Sequence, residues 1–162
     1  MDYSQFLAMK QEIGLLVIFL FVFFYDAFMP KKSQGALAGI TTMLFGVFTL
    51  YGFFCPCLNG ACATDAFAGM YNTSAIVVAI KNILNIGVFI VLIQSMKWAN
   101  SEDQVIRRGE FYELLLVTLF GMYLMISARH FLLFVIGLEA ASLPLAAMVA
   151  FDKKRVESHE AA

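Results

Sequence analysis

Two ionisable side chains sit where water does not reach easily. Glu139 is the single ionisable residue in FLLFVIGLEAASLPLAAMVAF (131–151), and Lys81 lies inside SAIVVAIKNILNIGVFIVLIQSM (74–96). At a helical rise of about 1.5 Å per residue, Glu139 stands on the order of 12 Å into its segment, near the middle of a bilayer. A charge at that depth costs about 2.5–3.5 kcal/mol on insertion scales. Such a carboxyl is either held protonated or compensated by a buried cation, and both states suit a group that takes up and releases protons. The structural alternative is a hydrogen bond to Ser142 or to a neighbouring helix. Pro144, five residues on, removes a backbone donor and predicts a kink beside the carboxylate.

Lys81 lies about two turns into its segment, where reaching the outer headgroups is a stretch for its side chain. Asn82 and Asn85 extend a polar stripe on the same helix, which faces protein rather than lipid. Packing glue and a part in a charge relay both fit it. Asp26, one turn from the inner end of the first apolar run, reads as an interfacial acid paired with Lys31 or Lys32, or as an auxiliary charge. Glu113, in the first turn of the fourth apolar run, where the positive end of a helix dipole favours a carboxylate, reads as a capping acid at the interface or as an auxiliary charge.

The other reactive types assemble no familiar site. Cys55, Cys57 and Cys62 share one loop with no histidine or fourth cysteine nearby, so a metal centre is not expected. A disulfide between Cys62 and either neighbour is one reading, and three unreacted small side chains the other. His130 and His159 stand singly at helix ends, which does not support haem ligation. There is no phosphate-binding glycine loop, serine–histidine pair or iron–sulfur spacing, so no catalytic residue and no bound cofactor are expected.

The elements that hold these groups are set by composition. Of 162 residues, 61% are hydrophobic and 14% charged, with net charge −1; mean hydropathy is +0.80. That apolar content is too large to hide in a small globule, so the chain reads as an integral membrane protein with the lipid bilayer as its surroundings. Nothing basic argues for nucleic acid. The first apolar run lacks a basic leader and cleavage site, and is expected to stay as a span. Five runs reach spanning length: about 13–29, 36–54, 75–96, 112–127 and 131–151. None alternates as a barrel strand would. The expected fold is an all-α bundle of about five transmembrane helices forming a single domain.

Orientation follows from the basic residues. Lys31, Lys32, Lys97, Arg107, Arg108, Lys153, Lys154 and Arg155 share one side, against Lys10 and Arg129 on the other. The N-terminus is therefore outside and the C-terminus inside. Tyr25, Trp98 and Tyr112 mark the inner water boundary, Tyr51 and Tyr71 the outer. The fourth and fifth spans, joined only by Arg129 and His130, must form a tight antiparallel hairpin. Gly35 and Gly39 offer a weak small-residue packing pattern into the second span.

The stretch GEFYELLLVTLFGMYLMISARHFLLFVIGLEAASLPLAAMVAF (109–151) resembles the fourth and fifth helices of the antiporter-like membrane subunits of respiratory complex I, the subunit N family in particular. FYELLLVTLFGM and GLEAASLPL carry the likeness, with Glu139 in the family's glutamate position. Lys81 in AIKNIL fits a third-helix lysine, and Asp26 an acid near the end of the first helix. The likeness weakens in the cysteine loop, and SARHF departs from the pattern at Arg129 and His130. The tail AFDKKRVESHEAA looks like a link into a sixth helix.

The resemblance implies a subunit of proton-translocating NADH–quinone oxidoreductase, with NADH and quinone used by the whole complex and neither bound by this chain. Its implied partners are other membrane-arm subunits, and its implied place is a bacterial inner membrane, ahead of an organellar one. In such subunits the glutamate pairs with a lysine on a seventh helix, which this chain lacks. The chain thus reads as the N-terminal portion of a fourteen-helix subunit whose C-terminal helices are missing, with Glu139 as proton relay and Lys81 as a supporting charge. Rival readings are a subunit of a multisubunit cation/proton antiporter and a small membrane scaffold in which Glu139 only locks packing.

Overall fold

The computed structural model describes residues 6, 9–28, 36–54, 64–99 and 108–151. Five helices form: α1 (Lys10–Phe28), α2 (Leu37–Phe54), α3 (Ala75–Ala99), α4 (Arg108–Ser127) and α5 (Phe131–Val149). All five are long and apolar enough to cross a membrane. Between α2 and α3 lies a short antiparallel hairpin, β1 (Thr64–Ala66) and β2 (Tyr71–Thr73), which periodicity did not announce.

α1 starts three residues before the apolar run that marks it, taking in Lys10, Gln11 and Glu12. α4 starts four residues early, at Arg108. Glu113 therefore sits in the second turn of α4, and Glu110 occupies the first turn where the helix dipole acts. α5 runs through Pro144 as one helix.

The core is a seam of Leu15, Ile18 and Val22 from α1, Phe45 from α2, Leu92 from α3, and Tyr112, Leu116 and Leu119 from α4. α4 is the central post, and none of its large hydrophobic side chains is exposed. The other four helices each show exposed large apolar side chains outward, as a bilayer-facing bundle requires. Two buried threonines of α2 satisfy themselves locally: Thr42 donates to the Ala38 carbonyl at 2.7 Å and Thr49 to that of Phe45 at 2.8 Å.

α4 and α5 form the close hairpin that their short connection demands. A Cβ on Gly137 would lie 2.8 Å from the Met125 backbone nitrogen and 2.9 Å from the Gly121 oxygen; one on Gly121 would overlap the Ala141 nitrogen. Glycine is what lets these two backbones touch. By contrast the space around Gly39 is open, so the small-residue pattern at that position marks no helix contact. His130 caps α5, its Nδ1 accepting from the Leu132 amide at 3.2 Å.

Contacts place the helix ends consistently. The start of α1 and the end of α2 meet at the start of α3, through Gln11, Gly52 and Asn82. The α4–α5 turn joins the same end, where Tyr71 pairs with Ala128. Asp26, at the other end of α1, lies against Gly109 at the start of α4. By the distribution of lysine and arginine, the first of these ends is the outer one.

Candidate functional site

Lys81 is the centre of a buried polar cluster in the outer half of the bundle. Helical side chains lean toward the N-terminus, so Lys81 points back up α3 toward the outer end. It does not reach headgroups. Its ammonium donates to Glu12 Oε1 at 2.5 Å, with the two side chains 1% and 2% exposed. It also donates to the Tyr71 hydroxyl at 3.3 Å. Tyr71 in turn donates to Glu12 Oε1 at 2.8 Å. Three elements, α1, β2 and α3, therefore converge on one carboxylate oxygen.

The cluster extends inward. The Lys81 ammonium lies 5.3 Å from the centre of the Tyr123 ring and 5.4 Å from that of Tyr71, at cation–π distance. Tyr123, on α4, donates a short hydrogen bond to Asn85 Oδ1 one turn below Lys81. Asn82 accepts from Gln11 Nε2 at 3.0 Å and donates to the Gly52 carbonyl at 3.0 Å. The stripe of Lys81, Asn82 and Asn85 thus faces the bundle interior, and all three are buried. Burial and the adjacent Glu12 carboxylate push the Tyr71 phenol above its ordinary range, so it stays a hydrogen-bond donor.

Tyr71 corrects an expectation. It is not a water-boundary aromatic but a buried one, 1% exposed, held down by the hairpin. The hairpin is pinned to the α4–α5 turn by three bonds. Arg129 donates its amide to the Met70 carbonyl at 2.9 Å, and its guanidinium bridges both oxygens of Asp65 at 2.7 and 2.8 Å. The hydrogen bond from Asn72 and the Arg129 guanidinium hold the Asp65 carboxyl below its usual range.

Glu139 corrects another expectation. It is not buried in the five-helix bundle: only Gly137 and Ala141 of α5 are, and Glu139 stands on the exposed face. Among the described residues it has no hydrogen-bond or ion-pair partner, Ser142 included. α4 covers one side of α5, and Glu139 is on the other. Lys81 is thereby engaged with Glu12 in the interior while Glu139 faces away from the bundle.

At the inner end, Asp26 and Glu113 are half-buried and lie within electrostatic reach of each other and of Glu110. The Asp26 carboxylate rests on Gly109, where any Cβ would overlap it. Lys31 and Lys32, the basic partners expected for Asp26, lie outside the described residues, as do Cys55, Cys57 and Cys62. No group of three or more histidine, cysteine, aspartate or glutamate side chains able to hold a metal occurs among the described residues.

Glu12 is the member of this cluster that the sequence reading missed. The apolar run starts at Ile13, which makes Glu12 look like the wet edge of a span. One signal could have found it: α1 and α3 both start at the outer end, so an acid in the first turn of α1 matches the height to which Lys81 reaches back.

No family profile matches the chain. Individual proteins do. NADH-quinone oxidoreductase subunit N of Azobacteroides pseudotrichonymphae is 39% identical over the whole chain, and that of Phocaeicola vulgatus is 38% identical over 99% of it. The same-named protein of Methylovorus glucosotrophus is 29% identical over 98%. The chain spans about a third of the length of each of these relatives. A buried Lys81 on the third of five spans and a glutamate on the fifth thus belong to a sequence that is related, from end to end, to the N-terminal part of the NADH-quinone oxidoreductase subunit N family.

Proposed function

We propose that this chain supplies five helices to the membrane arm of NADH–quinone oxidoreductase in a bacterial inner membrane. There it takes part in moving protons as NADH is oxidised and quinone reduced elsewhere in the enzyme. The observation that carries this reading is Glu139: a carboxylate on a bilayer-spanning helix, on a face left uncovered, in a chain related throughout to subunit N. Left facing lipid, an ionised Glu139 would cost about 2.5–3.5 kcal/mol. A cation from the remaining helices of the subunit, or from an adjoining membrane-arm subunit, offsets that cost. The carboxylate then changes charge as protons pass, by general acid–base exchange with water or a neighbouring amine. NADH, quinone and the redox groups need no site in these helices. Lys81 supports the relay from the outer half of the bundle, and Asp26 with Glu113 supplies auxiliary negative charge at the inner end.

The membership is tested by extracting native membranes in mild detergent and resolving intact complexes by native electrophoresis, with an in-gel stain for NADH oxidation. The chain is expected in the band that oxidises NADH. If it migrates in a complex without that activity, the cation/proton antiporter reading takes over.

A further inference from the structure

The buried cluster pairs Lys81 with an acid, Glu12, that the reading above does not use. We infer that Glu12, Lys81 and Tyr71 form a proton-exchange site at the outer end of the bundle, with Glu12 as the proton carrier and the 64–73 hairpin as its closure toward outer water. This deepens the proton-translocation reading and rests on it.

Geometry supplies two routes for one proton. Lys81 Nζ contacts Glu12 Oε1 directly at 2.5 Å. It also donates to the Tyr71 hydroxyl, which donates to the same Oε1. In the direct step one N–H bond of the ammonium breaks and one O–H bond forms on the carboxylate. The charged pair becomes a neutral amine and a neutral carboxylic acid. By the second route the Tyr71 oxygen accepts the lysine proton while its own proton passes to Glu12, with the same products. No oxidant or reductant is needed and the net charge of the site is unchanged, which suits a site closed to solvent.

Bonding is also incomplete in a way that a purely structural ion pair would not favour. Glu12 Oε2 is buried and has no hydrogen-bond partner among the described residues, although an ionised carboxylate accepts hydrogen bonds on both oxygens. With the proton on Oε1, Oε2 keeps its lone pairs open to a water or another donor. One turn deeper, Asn85 Nδ2 is likewise buried without a partner among the described residues, beside the Tyr123 bond. Open donors and acceptors therefore line both sides of Lys81.

The hairpin supplies the closure. Tyr71 sits directly on Glu12, and its hairpin is fastened to the α4–α5 turn by the Arg129–Met70 and Arg129–Asp65 bonds. The turn at 67–70 holds Phe67 and Ala68 at φ of 54° and 56°, left-handed values that non-glycine residues adopt at a cost. A lifted hairpin would uncover the proton-bearing oxygen.

The test uses the assembled enzyme in native membrane vesicles, with NADH-driven proton translocation as readout. The double variant Glu12→Gln with Lys81→Gln removes both charges together and leaves two amides able to bond each other and Tyr71. Assembly is expected to survive and proton translocation to be lost. Translocation at the wild-type level in the assembled double variant overturns the site. If the double variant does not assemble, labelling the wild-type enzyme with the apolar reagent dicyclohexylcarbodiimide decides, since it modifies protonated carboxyl groups. Mass spectrometry is expected to find Glu12 labelled during NADH oxidation and less so at rest. An unlabelled Glu12 beside a labelled Glu139 overturns this site and leaves the translocation reading standing. Loss of translocation in the double variant but not in Glu139→Gln would move the relay to Glu12 and remove Glu139 from it.

Discussion

Lys81 and Glu12 stand 69 positions apart in the chain and 2.5 Å apart in space, both closed to solvent. Removing one partner of such a pair strands the other charge in the interior. Lys81→Ala or Glu12→Ala is therefore expected to destabilise the chain by about 3–5 kcal/mol, whereas neutralising both costs far less. Denaturant unfolding in detergent micelles measures this. A double variant as unstable as either single one would contradict a coupled pair.

The α4–α5 hairpin depends on two backbones in contact. Gly121→Ala and Gly137→Ala each place a methyl group against main chain rather than against a yielding side chain. Each is expected to cost about 1–3 kcal/mol through overpacking. The same change at Gly39, which meets nothing, should leave the unfolding midpoint unchanged or slightly raised.

The outer latch should weaken in acid. Asp65 has a folded-state pKa below its unfolded value of about 3.9, so its contribution to latch stability is complete above that value. It is lost as pH falls through the lower, folded value. Hydrogen exchange at the Arg129 amide, bonded to Met70, is expected to show extra opening in that window beyond the intrinsic pH dependence of exchange. Arg129→Gln should shift that opening upward in pH. An Arg129 amide whose protection ignores both the acid window and the variant would contradict the latch.

Much of this arrangement is written in the residue order. Runs of about twenty apolar residues announce the five helices because lipid leaves the backbone no other partner. The Asn82–Asn85 stripe announces an inward face for the same reason. What stayed hidden depends on tertiary contact. Glu12 looked like the end of a span because only Lys81, Tyr71 and their distant chain segments make its burial tolerable. The hairpin has three-residue strands, too short to show alternation, and is fixed by Arg129 more than fifty residues later. Glu139 read as buried because its own helix is apolar throughout. Which face of α5 lies against α4 is decided by Gly121 and Gly137, not by hydrophobicity.

The central claim is that Glu139 carries protons, and proton translocation by vesicles carrying Glu139→Gln tests it most directly. Glu139 has no partner among the described residues, and glutamine keeps its shape, so the variant should assemble as the wild type does. NADH addition is then expected to drive markedly less proton translocation than in wild-type vesicles. Wild-type translocation together with wild-type NADH–quinone turnover in the assembled variant would contradict it.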